Sequence, residues 1–171
     1  TSDYMRMIMS RVVKTAKEVY TNTKISKNPV SVVSLAYRKL RDLNMCGNSR
    51  VLIIGAGETN KNIAQYLKKH KFSNFVVFNR TLEKAESLAK ELNGEAYSIA
   101  DLATYNKGFD AIITCTGATE PIITQEIYTS LLNGETDKKV IVDLAVPNDV
   151  AAEVIGNFPI NYIEVESLKE I

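Results

Sequence analysis

Cysteine and histidine are nearly absent: Cys46, Cys115 and His70 are the only ones in 171 residues. Two isolated cysteines exclude a disulfide framework, and together with a lone histidine they exclude a zinc site of the usual ligand spacing. Such cysteine usage fits a reducing compartment. No apolar run approaches the roughly 20 residues that span a bilayer, and no signal-peptide pattern opens the chain. The expectation is a cytoplasmic protein with no membrane contact. The first residue is Thr1, not Met, which reads as an excised or processed chain.

A dominant charge of one sign is also missing, the formal net charge being +1. That balance hides a split. Residues 1–50 hold 10 Lys or Arg against 3 Asp or Glu, net +7, which leaves 11 against 17, net −6, for the remaining 121. A basic lead-in joined to an acidic domain suits either a nucleic-acid surface or the wet faces of amphipathic helices. With 45% hydrophobic and 24% charged residues, the chain has ordinary globular composition and length for one buried core.

The lead-in, residues 1–48, reads as helical. Met5, Ile8, Met9, Val12, Ala16 and Val19 recur at helical spacing. Residues 21–29 form a polar linker ending at Pro29, and Ser31 is placed to cap a second helix that turns Val32, Leu35, Ala36, Leu40 and Leu43 inward. From residue 49 to 166 short apolar runs alternate with helical stretches. Strands are expected at 51–54, 75–78, 95–99, 109–114, 140–144 and 162–165. Helices fall at 58–70, 82–92, near Leu102 and around 127–132. Parallel βαβ units with right-handed crossovers follow, so the fold class is α/β, a doubly wound, Rossmann-type parallel sheet of order 3-2-1-4-5-6. Residues 167–171 read as the start of an exit helix.

This topology gathers the loops after strands 1, 4 and 5 on one edge of the sheet. The first loop reads GAGETN: Gly55, Ala56 and Gly57 form a tight turn, and Glu58, Thr59 and Asn60 open a helix whose free N–H groups attract a pyrophosphate. Asn60 departs from the pattern, because the third position is usually Gly or Ala for close helix–strand packing. Either the helix stands farther off, or Asn60 makes a polar contact of its own.

Strand 2 ends in Asn79, Arg80 and Thr81, where an NAD site would place a carboxylate for the ribose hydroxyls. A carboxylate repels a 2′-phosphate, whereas a guanidinium binds one through paired hydrogen bonds. The cofactor expected is NADP(H), with Lys84 one turn on to add charge. Thr81 is better suited to capping the following helix than to phosphate. Thr116, Gly117 and Ala118 after strand 4 are small enough to pass under the nicotinamide-side ribose. Leu144, Ala145, Val146 and Pro147 after strand 5 are placed to flank the nicotinamide.

No residue is assigned a catalytic or metal-binding role. Cys115 reads as a small buried thiol with no base to activate it. His70 lies in KKHK at a helix C-terminus, where cations complement the dipole. Asp143, after a buried strand, is better suited to orienting a loop than to acid catalysis.

In their order and spacing, GAGETN, FNRTLEKAESLA, TCTGATEPIIT and VDLAVPNDV resemble the NADPH-binding domain of the glutamyl-tRNA reductase family. SVVSLAYRKL is similar to the helix that precedes that domain, and NYIEVESLKEI to the start of the long helix that leaves it. Asn148 stands where the family commonly has arginine, which bears on any phosphate or tRNA contact there.

The resemblance implies an enzyme of tetrapyrrole (porphyrin) biosynthesis. A cysteine of an upstream domain takes the glutamyl group from charged tRNA as a thioester, and NADPH reduces it to glutamate-1-semialdehyde. It further implies glutamyl-tRNA as a partner through other domains, a homodimer through a C-terminal domain, and a semialdehyde aminomutase acting next. Neither Cys46 nor Cys115 matches the family's catalytic cysteine motif, so these residues alone are expected to bind NADPH without reductase activity. Two rivals share the NADP loop or the dinucleotide: a shikimate-dehydrogenase-like oxidoreductase, and a non-enzymatic dinucleotide-sensing module. The first needs a substrate domain that 50 residues before the glycine loop are too few to supply.

Overall fold

The computed structural model describes residues 29–164 of the chain. The amphipathic helix expected over the first 20 residues, the linker to residue 28 and the exit helix at 167–171 lie outside them. The described elements run α1 (Pro29–Asp42), β1 (Arg50–Ile54), α2 (Glu58–Lys69), β2 (Asn74–Asn79), α3 (Leu82–Leu92), β3 (Glu95–Ser98), a 3₁₀ turn (Ile99–Ala103), β4 (Ala111–Thr114), α4 (Gln125–Leu132), β5 (Lys139–Asp143), α5 (Ala152–Asn157) and β6 (Ile160–Glu164).

All six strands are parallel and lie in the order 3-2-1-4-5-6, as the sequence pattern predicts. Their apolar runs are continuous because both faces of the sheet are covered. Successive residues alternate between two cores. Val51, Ile53, Val77, Ile113 and Val142 join α1, α2 and α3 in one. Leu52, Ile54, Phe78, Ile112 and Ile141 join the 3₁₀ turn, α4 and α5 in the other. The first core extends into α1 through Val33, Ala36 and Leu40, spaced to share one helical face.

Most expected and observed boundaries differ by one or two residues, but α1 starts at Pro29, so Ser31 lies within the helix and is not its cap. Thr124 Oγ1 accepts from the Ile127 amide at 3.3 Å and starts α4 at Gln125. Asn93 and Asn133 take left-handed φ of 57° and 48° and end α3 and α4 as C-caps. α5 has no counterpart in the sequence reading. It is six residues long and has a single buried side chain, Val154, too little for a periodic signal. The Val146–Pro147 peptide is cis.

Candidate functional site

The carboxyl ends of β1, β2 and β4 surround a cleft of about 360 Å³. Its walls include Gly55, Ala56 and Gly57 from the first loop, Asn79, Arg80, Thr81 and Lys84 from the second, and Cys115 to Ala118 from the third, with Ile99 and Ile122 beside them. Such a crevice, where strand order reverses between β1 and β4, is where open α/β sheets bind ligands.

The glycine turn is built around close backbone approach. Gly55 has φ +100°, and its amide donates to the Phe78 carbonyl at 2.7 Å. A Cβ on it would sit 2.3 Å from the Cys115 carbonyl oxygen. At Gly57, by contrast, a Cβ would meet nothing within 4 Å, so that position opens onto the cleft. Gly57 is the N-cap of α2, and no side chain caps it. The first-turn amides of a helix have no partner within it, and here they stay available to an anion.

Asn60 resolves the departure in the motif. It is fully buried, and its Nδ2 donates to the carbonyls of Ile54 at 2.8 Å and Gly55 at 3.0 Å, with Ile113 at 3.4 Å. The side chain makes a polar contact of its own, beneath the turn, and is not among the cleft's walls. Its Oδ1 is buried without a hydrogen-bond partner. Glu58 and Thr59 lie in the first turn of α2, exposed and half-buried.

The second loop is tied to the first by Asn79, whose Oδ1 accepts from the Ala56 amide at 3.0 Å while its Nδ2 donates to the Thr81 carbonyl at 3.1 Å. Arg80 and Lys84 are exposed, and their side chains have no hydrogen bond or ion pair among the described residues. Thr81 occupies the N-cap position of α3, but its side chain makes no capping bond. A second uncapped helix start therefore faces the cleft beside two cations. The residues lining the cleft include no carboxylate.

Support for the third loop comes from a residue that sequence reasoning did not single out. Asp149 is fully buried. Its Oδ2 accepts from Thr114 Oγ1 at 2.7 Å and from the Thr116 amide at 2.9 Å, and its Oδ1 accepts from Thr116 Oγ1 at 2.6 Å. An acid inside the apolar stretch DLAVPNDV is the signal that could have found it.

Asp143 holds the neighbouring loop, as its place after a buried strand suggests. It accepts from the amides of Ala145, Asp149 and Val150 and from the Tyr162 hydroxyl, all within 3.2 Å. Burial, and then the charge of Asp149, push its carboxyl up to about 7, with the amide and hydroxyl donors opposing. Burial and Asp143 in turn push the Tyr162 hydroxyl up.

Leu144, Ala145 and Val146 are buried and Pro147 half-buried after β5, and none of them is among the cleft's walls. Asn148 Nδ2 donates to the Ala145 carbonyl at 3.2 Å and so closes that loop on itself. Cys115 is half-buried against the first core, its amide bonded to the Ile54 carbonyl at 3.0 Å. His70 is the C-cap of α2 and stacks on Tyr37 at 4.2 Å.

A cleft at the strand-order reversal, with a glycine turn and an open helix start, defines a dinucleotide-binding domain. The chain belongs to the shikimate / quinate 5-dehydrogenase family, whose family model matches residues 34–171. Among individual proteins it is similar to glutamyl-tRNA reductases. It is 36% identical to that of Marinomonas sp. over 155 residues, which is 88% of this chain and 36% of that protein. It is 34% identical to that of Hydrogenovibrio crunogenus over 170 residues, 98% of this chain and 39% of that protein. The glutamyl-tRNA reductase of Methanopyrus kandleri superposes with a TM-score of 0.72 at 28% identity, over 98% of this chain and 43% of that one.

These matches bear out the resemblance read from the loop motifs. The chain spans well under half the length of the reductases it matches. No helix among the described residues is long and apolar enough to cross a membrane. Fold and family imply a nicotinamide dinucleotide as cofactor, and the glycine turn, open helix start and carboxylate-free lining fit one.

Proposed function

We propose that this chain is the NADPH-binding part of a cytoplasmic glutamyl-tRNA reductase. Arg80 carries the choice of cofactor: it is an exposed cation whose side chain has no partner among the described residues, at the end of β2, where an NAD-selective site needs a carboxylate. Its guanidinium suits a 2′-phosphate, with Lys84 and the uncapped start of α3 adding positive potential. The glycine turn and the first turn of α2 would hold the pyrophosphate. Thr116 to Ala118 would support the ribose, and the loop from Leu144 to Pro147 would flank the nicotinamide. When bound, the cofactor supplies the hydride that turns a glutamyl thioester into glutamate-1-semialdehyde.

The thioester cysteine, the glutamyl-tRNA contact, the homodimer and a semialdehyde aminomutase as next enzyme belong to the same reading through the relatives. A shikimate-dehydrogenase-like activity is the second reading, favoured by the family's name. The reductase is preferred because its matches reach 34–40% identity over 81–98% of this chain.

Titration of wild type and R80A with NADPH and NADH tests the cofactor. NADPH should bind more tightly to wild type, and R80A should weaken NADPH by roughly tenfold to a hundredfold while leaving NADH unchanged. Equal affinity of wild type for the two cofactors overturns the 2′-phosphate assignment. The 171-residue chain given glutamyl-tRNA and NADPH should form no semialdehyde; detectable product overturns the prediction that the reacting cysteine is not among its own.

A further inference from the structure

We infer that Asp149 is a positioning residue for the cofactor, acting through Thr116. The inference rests on the dinucleotide reading above. Asp149 belongs to the loop after β5, yet every bond its carboxylate makes runs to the end of β4 and the loop beyond it. Thr116 is held at two points, amide and hydroxyl, and its Oγ1 accepts from the Ala118 amide at 3.2 Å. Both residues line the cleft.

The Asp149 backbone is fixed in turn. Its carbonyl accepts from the amides of Ile122 and Ile123 at 2.9 Å each, and its amide donates to Asp143. Ile122 also lines the cleft. One buried residue therefore joins the β4 loop, the segment entering α4 and the β5 loop. Burying a charged group is costly unless its acceptors are filled, and here three donors fill them. A loop of small residues such as Thr116-Gly117-Ala118 has little apolar surface to fix its own shape. The carboxylate supplies that definition before a ligand arrives, so less ordering remains for binding to drive.

The bond pattern separates shape from charge. In D149N the amide oxygen can keep the bonds from Thr114 Oγ1 and the Thr116 amide, and the Thr116 hydroxyl, which both donates and accepts, can accept from the new NH₂. In D149A all three bonds vanish, whereas T116V removes the hydroxyl arm together with the bond that Oγ1 accepts from the Ala118 amide. The test is titration of the 171-residue chain with NADPH and NADH, for wild type, D149A, D149N, T116V and D149A/T116V, with urea unfolding of each to confirm a folded chain.

D149A should lose about tenfold or more in affinity for both cofactors while keeping the wild-type preference for NADPH, which the Arg80 end sets. T116V should also lose affinity, the double variant should lose less than the product of the two single losses, and D149N should stay within about threefold of wild type. A folded D149A that binds like wild type overturns the inference. So does loss of the NADPH preference together with affinity, which marks collapse of the whole edge, or a D149N as weak as D149A. If D149A does not fold, T116V and D149N carry the test: T116V that binds both cofactors like wild type overturns it, and a loss for both cofactors in T116V with D149N close to wild type sustains it. Wild type that binds neither cofactor removes the parent reading and this inference together, whereas wild type that binds both equally removes only the 2′-phosphate assignment.

Discussion

The two halves of the cleft solve opposite problems with polar residues. On the β1–β2 side, Arg80 and Lys84 reach out with no partner among the described residues, and two helix starts are left uncapped. On the β4–β5 side, Asp143 and Asp149 are buried, and their acceptors are filled by backbone amides and hydroxyls. One half keeps its charge for a ligand; the other spends its charge on holding backbone. Exposed cations add affinity and selectivity without shaping the fold, whereas buried carboxylates shape the loops and meet no ligand directly.

The largest effect is expected where the halves meet. In G55A the new Cβ would clash with the Cys115 carbonyl at a φ that L-residues avoid, costing on the order of 3 kcal/mol or more and abolishing cofactor binding. Urea denaturation and NADPH titration measure both, and a G55A within 1 kcal/mol of wild type, about the size of an ordinary substitution, would show that β1 and β4 are not clamped there.

N60A should cost about 1–3 kcal/mol, because it strips donors from buried carbonyls, yet leave NADPH affinity within about threefold, since the side chain lies beneath the turn. Affinity lost without stability would mean Asn60 belongs to the ligand face.

The buried pair gives a pH signature. With its folded value raised to about 7 from an ordinary value near 4, Asp143 binds a proton more readily in the folded than in the unfolded chain. Its contribution to stability is therefore greatest at low pH and is lost as pH rises from about 4 to about 7. The stability difference between wild type and D143N, measured by urea unfolding at several pH values, should fall across that window and be flat above it. A difference that grows with pH would contradict the upward push on Asp143 by burial and the charge of Asp149.

The smallest effect is expected at Lys84. It is exposed, so K84A should weaken NADPH about twofold to fivefold at low salt and less at high salt. An effect as large as that of R80A would mean that both cations grip the 2′-phosphate.

Much of this was legible in the sequence because it rests on local chemistry. Gly55 and Gly57 follow an apolar strand, and Arg80 stands alone where a carboxylate would otherwise be; both are patterns a dozen residues long. Asn60 was visible as an anomaly but not as a structure, because its three acceptors come from β1, the glycine turn and β4. Thr81 looked like a cap and is one by position, but its hydroxyl makes no capping bond. Asp149 and Asp143 look alike in the sequence, and only the folded chain shows that residue 149 reaches back to residues 114 and 116.

By itself, then, the sequence determined the alternation of strand and helix, the parallel order 3-2-1-4-5-6, the glycine turn and the charge at the tip of β2. These follow from hydrophobic period and from single residues whose chemistry is unusual for their place. Tertiary structure alone decided which polar side chains are consumed inside the protein and which remain for a ligand. That division depends on distances between segments far apart in the chain, 35 residues for Thr114 and Asp149 and 53 for Asn60 and Ile113, and no local pattern encodes them.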